Sequence, residues 1–178
     1  KMLTWLYDED RWPSGFAGGL VTKNPKYRKK SLFFTVKPIE DAVDPQTGYE
    51  QGLPYLIACY DVCLSPDGTL ESYRRVDEKA TDTVGTKWYV YVKADTVTGR
   101  FNNQTYADTL SEEAIAEFIR VTYDAYLEAV GEDFGGSVPA IFTDEPQYFR
   151  WDTAYTPLMK DEFKRLYNED ITDGLGYL

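Results

Sequence analysis

The chain has 178 residues, 30 acidic and 19 basic side chains, no histidine and a formal net charge of −11. A chain of this size buries roughly 70% of its unfolded surface, and a mixture of 28% charged and 43% apolar residues belongs to a folded domain, neither disordered nor membrane-spanning. The lack of histidine excludes Ser-His-Asp and Cys-His nucleophiles and His-ligated zinc, and the acidic balance argues against nucleic acid; carboxylate, Tyr and Lys remain for acid–base work.

Residues 2–7 (MLTWLY) are rich in β-formers and predict a strand, followed by an acidic cluster, Asp8-Glu9-Asp10, and a WPSG turn. The GFAGG stretch that follows has neither the G-x-G-x-x-G spacing nor a GK[ST] ending, so loop geometry accounts for it better than phosphate binding. Residues 23–30 (KNPKYRKK) are basic and read as a solvated loop. A strand is expected at 31–37, then a loop containing DPQTG. Segments 55–64 and 69–76 flank Ser65-Pro66-Asp67-Gly68, a hairpin with a type I turn and a glycine at the left-handed position. Another strand is expected at 87–94, and together these segments suggest an antiparallel meander, with 38–86 a β-rich insertion.

From Asp108 the pattern changes. Ser111 caps a helix opening with Glu112 and Glu113, with Thr109 and Glu112 as a competing capping-box register. Ile115, Phe118, Ile119, Thr122, Tyr126 and Val130 recur at helical spacing, and Gly131 ends the run. Residues 138–143 (VPAIFT) read as a buried strand running into Asp144-Glu145-Pro146, and a second helix follows with Thr156 as cap and Pro157 in first position. Alternating strand and helix in the second half is a parallel α/β signature.

Cys59 and Cys63 lie four apart in one expected strand, ~13 Å from each other, beyond the about 7 Å that a disulfide tolerates. There is no basic and apolar leader and no run of ~18 apolar residues. The chain opens at Lys1 in strand-like sequence, which reads as the inside of a longer protein.

Functional groups in parallel α/β folds collect at the carboxyl ends of strands. Asp8, Glu9 and Asp10 stand at one such end and Asp144 and Glu145 at another. Glycosidic cleavage needs two carboxyls flanking the scissile bond, and strand tips can supply them. The Glu of TDEP, followed by a stiffening proline, is the most informative single residue, against the alternative of an ordinary acidic loop. The YDED acids suit sugar hydroxyls or an oxygen-ligand calcium site, or simply a solvated turn; the EF-hand spacing is absent. Trp12 and Tyr148 lie near the two clusters and can stack on sugar rings. Asn102 and Asn103, with Gln104, offer donor–acceptor pairs for hydroxyls, or equally cap their own turn.

Three strings, WLYDEDRWPSGFAGG, FNNQTYADTLSEEAIAEF and IFTDEPQ, together cover roughly a quarter of the chain. They resemble the catalytic barrel region of α-L-rhamnosidase-like glycoside hydrolases of the family 106 type. The resemblance implies that Glu145 is the general acid, that the Asp8, Glu9 and Asp10 carboxylates sit in the substrate cleft, and that calcium can take part. A full barrel needs ~250 residues, so the expectation is an α/β fold: a partial (β/α)8 TIM-barrel fragment, residues 1–178, with the antiparallel meander inserted. Its partners are then a poly- or oligosaccharide and the remainder of the parent chain, with no nucleic acid and no membrane. The chain alone would hold an incomplete site. The alternative is a non-catalytic carbohydrate-binding domain or a hydrolase-like scaffold without activity.

Overall fold

In the computed structural model, which describes residues 2–8, 14–146 and 153–178, the elements run in the order β1 (Leu6–Tyr7), β2 (Lys30–Thr35), α1 (Pro45–Gln51), β3 (Tyr55–Leu64), β4 (Leu70–Val76), β5 (Thr86–Ala94), α2 (Glu112–Val121), α3 (Tyr123–Val130), β6 (Ile141–Phe142), β7 (Thr153–Ala154) and α4 (Leu158–Tyr167), with short 3-10 turns between them. The chain divides into two units. One comprises residues 1–29 and 95–151, the other 30–94 and 152–178.

The second unit is a five-stranded sheet in the order β4-β3-β5-β2-β7, with every pairing antiparallel. The partial (β/α)8 barrel expected from the sequence is therefore incorrect. A barrel needs parallel strands, and among the described residues the parallel pairing between strands is that of the two-residue strands β1 and β6 in the first unit. The hairpin explains the outcome. Gly68 at φ +86 closes the turn through its amide to the Ser65 carbonyl at 2.9 Å, and Ser65 and Thr69 complete it, so β3 and β4 pair locally. β5 then has β3 and β2 as antiparallel neighbours and no helix crossover. The stretch 38–86 lies within this unit, together with β2 and the C-terminal segment.

Alternation along the central strands buries both faces. Tyr60, Val62, Val90 and Val92 point to one side, where Tyr155, Met159, Ile171 and Leu175 cover them. Cys59, Tyr89 and Tyr91 point to the other, against Phe33, Ile39, Ala42 and Leu56. Cys59 and Cys63 are both free thiols. The helix α1 stands where a plain loop is expected. Asp44 accepts the Thr47 amide at 3.1 Å, Pro45 opens the first turn and Gly52 at φ +67 ends it. At α4, Pro157 rather than Thr156 occupies the cap position, and the apolar Leu166 and Tyr167 are exposed.

Asp61 is buried in β3. Its carboxylate accepts the amides of Val84 (2.9 Å) and Gly85 (2.8 Å) and the Arg74 guanidinium (3.1 Å). The Val84 amide and its companions hold this carboxyl below the usual range despite burial. Gly85 has no alternative here, because a Cβ would lie 2.1 Å from the Val62 carbonyl oxygen.

In the first unit Ser111 caps α2 through the Ala114 amide (3.4 Å), which selects one of the two registers the sequence allows. The expected single helix breaks at Thr122, whose φ of −115° and hydroxyl bond to the Phe118 carbonyl (2.5 Å) separate α2 from α3. Ala17, Val21, Ala107 and Ala114 form a small core, and Phe16, Phe101 and Tyr106 another. The basic run is not wholly solvated: Lys29 and Lys30 are buried, and Lys29 reaches Asp95 at 3.9 Å.

Candidate functional site

The strands β1 and β6 are short, yet their register sets the chemistry. Leu6 pairs with Ile141 and Tyr7 with Phe142, in parallel, so Asp8 and Thr143 leave the strands at the same level and the same end. Two acidic segments 136 residues apart in sequence, Asp8 and Asp144, thereby emerge side by side.

Asp8 is 3% exposed and accepts three hydroxyl hydrogen bonds. Ser14 Oγ donates to Oδ1 at 2.7 Å, while Tyr123 and Thr143 donate to Oδ2, each at 2.8 Å. The Tyr123 and Thr143 oxygens are 3.2 Å apart, as two donors converging on one acceptor must be. Burial raises the Tyr123 phenol, opposed by the Thr143 hydrogen bond and reinforced by the facing carboxylate, so it stays protonated and donating at neutral pH. Tyr126, one turn along α3, donates to the Tyr7 carbonyl at 2.6 Å. The break at Thr122 lets α3 present both phenols to the tip of β1.

Ser14 links the two segments. Its hydroxyl accepts the Asp144 amide at 2.7 Å, its own amide donates to the Asp144 carbonyl at 2.8 Å, and its carbonyl accepts the Tyr106 hydroxyl. Ser14 is 1% exposed and Tyr106 is wholly buried, and Gly15 beside them has no room for a Cβ because the Tyr106 hydroxyl would lie 2.7 Å away. Directly after this clamp comes Glu145, exposed, with φ +43 and followed by Pro146. A positive φ at a non-glycine residue is a sparsely populated conformation that persists where the surroundings enforce it, and such positions cluster at functional sites.

The sequence-derived candidates separate accordingly. Asp8, Asp144 and Glu145 come together at the strand tips. Asp8 is 3% exposed and takes its hydrogen bonds from the Ser14, Tyr123 and Thr143 hydroxyls of its own chain, at the edge of the cleft described below. Asn102 and Asn103 adopt left-handed φ values of 54° and 58°, and the Asn102 side chain donates to the Gly18 carbonyl at 3.3 Å. The Asn102 amide thereby ties two loops of the first unit. Glu9, Asp10, Trp12 and Tyr148 lie outside the described residues. Among the described residues no three acidic or cysteine side chains are grouped to hold a metal ion, so the calcium implied by the resemblance has no ligand set there.

Ser14, Tyr106, Tyr123 and Thr143 are absent from the sequence-derived set. Thr143 adjoins TDEP and Ser14 closes WPSG, which are local signals. Tyr106 and Tyr123 carry none, because the chain has 15 tyrosines and only the fold distinguishes these two.

Beside the clamp lies an open cleft of about 500 Å³, lined by Tyr7, Asp8, Ala17, Leu20, Val121 and Tyr126, among others. No protein-family model, no curated protein and no solved structure matches the chain.

Proposed function

We propose that the chain carries the proton-donating part of a glycoside hydrolase site, with Glu145 as the general acid that protonates the leaving oxygen of a glycosidic bond. The observation that carries this reading is the placement of Glu145: exposed, at a strained backbone position, immediately after a segment clamped to the neighbouring strand tip. A general acid has to reach a substrate oxygen while its backbone stays fixed, and this arrangement supplies both conditions. The resemblance of three strings to α-L-rhamnosidase-like hydrolases supports the same residue. Asp144, half-buried alongside, is assigned to binding sugar hydroxyls. The second carboxylate that glycosidic cleavage requires is assigned to the remainder of the parent protein.

The test uses aryl glycosides of graded leaving-group acidity and the full-length parent protein. Glu145→Gln should lower kcat by about 10²- to 10⁴-fold on substrates with poor leaving groups. Activated substrates, which need little protonation, should lose far less. An equal loss across the series, or none, sinks the assignment. Binding of the same glycosides without turnover in the unaltered protein would favour the non-catalytic carbohydrate-binding reading.

A further inference from the structure

We propose that Ser14 is a positioning residue for Glu145, an inference that rests on the general-acid reading above. Every polar group of Ser14 is used. The hydroxyl donates to Asp8 and accepts from the Asp144 amide, the backbone amide donates to the Asp144 carbonyl, and the backbone carbonyl accepts the Tyr106 hydroxyl. The Asp144 carbonyl belongs to the peptide unit that joins Asp144 to Glu145. Ser14 therefore fixes the plane from which the Glu145 side chain departs.

The direction of control follows from the geometry. Peptide planarity leaves φ and ψ as the freedoms of Glu145. The residue before a proline is restricted in ψ, and Pro146 follows Glu145 directly. With the preceding plane clamped and the following residue stiff, the φ of +43 is held from both sides. Releasing the clamp lets this residue relax toward the broad negative-φ region, and the carboxyl moves with it. Ser14 is 1% exposed and its polar groups are held by its own chain, so its action on chemistry passes through Glu145. Asp8, anchored in turn by Tyr123 and Thr143, orients the Ser14 hydroxyl so that its lone pair meets the Asp144 amide.

Two variants of the parent protein test this, read by backbone amide exchange and by steady-state kinetics on an aryl glycoside with a poor leaving group. Ser14→Ala removes the hydroxyl from both of its bonds. Tyr106→Phe keeps the ring and withdraws one hydrogen bond, a milder loosening that keeps the test open if Ser14→Ala does not fold. The Asp144 amide should exchange at least about 100-fold faster in Ser14→Ala and severalfold faster in Tyr106→Phe, as expected when a buried hydrogen bond is lost. Amides of α2 should keep their protection. In the same variants kcat should drop about tenfold or more and severalfold, respectively, with KM within twofold.

Faster Asp144 exchange with unchanged kcat overturns the positioning role and leaves a purely structural clamp. Unchanged exchange overturns the clamp itself. If the unaltered protein hydrolyses no glycoside, the general-acid reading fails, while the exchange data still report separately on the clamp.

Discussion

Asp170 shows how a single carboxylate can hold a segment in place. Its Oδ1 accepts the Thr172 amide (2.9 Å) and hydroxyl (2.7 Å), and its Oδ2 faces Arg75 at 3.3 Å and Lys160 at 3.7 Å. Burial pulls its pKa upward, but the Thr172 and Arg75 hydrogen bonds and the Lys160 charge outweigh it and hold the group at about 2, against 3.8 for the free side chain. The folded state therefore keeps its charge where the unfolded chain has begun to protonate. The stabilisation is complete above pH 3.8 and drains away as the pH falls toward 2. In thermal melts, Asp170→Asn should lower Tm by about 3 °C at pH 6, and the gap between variant and parent should close below pH 3. A gap of equal size at pH 2.5 would show that the charge is not what matters. Beside Glu145 the role of the hydrogen bonds is different, because those made by Ser14 to Asp144 fall on the backbone.

Among the elements, those specified by their own residues are legible in the sequence. The 65–68 turn has its proline and glycine where a type I hairpin needs them, and Ser111 with Glu112 and Glu113 announces α2. The helix α1 is written in Asp44-Pro45 and Gly52 as well, although the intervening Gly48 weakens its helical signal. Pairing is another matter. Alternation in 87–94 says that the strand is buried, not whether its neighbours run parallel, and a helix further along the chain invites a βαβ reading that the antiparallel ladder contradicts. The β1–β6 contact is only two residues long and joins segments well over a hundred residues apart, so no local pattern marks it. Glu145 is readable from TDEP, whereas the hydroxyls that organise its surroundings are spread along the sequence. A prediction follows at the hairpin's flank. Gly85→Ala forces a Cβ against the Val62 carbonyl and should cost about 3 kcal/mol, at the severe end of overpacking. The midpoint of urea unfolding would reveal it; a variant as stable as the parent would mean that the 77–85 loop can move away.

Taken as a whole, the molecule combines a charge of −11 and an isoelectric point near 4.5 with exposed apolar side chains, including Met2, Leu3 and Trp5 before β1. Mutual repulsion opposes association at neutral pH and vanishes at the isoelectric point. Light scattering should show growing association as the pH is lowered from 7 to 4.5, with a smaller effect when Trp5 and Leu3 are replaced by serine. No dependence on those two residues would place the sticky surface elsewhere.

The discontinuity of the second unit has a consequence for how the protein is made. Its sheet is closed by β7 against β2, and its core by Leu175 and by the Tyr60 hydroxyl bonding the Thr172 carbonyl, a contact between residues 112 apart. A ribosome releases Tyr60, with its hydroxyl and the flanking apolar face, long before Thr172 exists. At roughly 5–20 residues per second this interval lasts about 6–22 s. Through that time the nascent sheet waits with one flank bare, and contacts of such long loop length are also the slowest to form. Chaperone dependence during synthesis should therefore concentrate on nascent chains that stop short of residue 172.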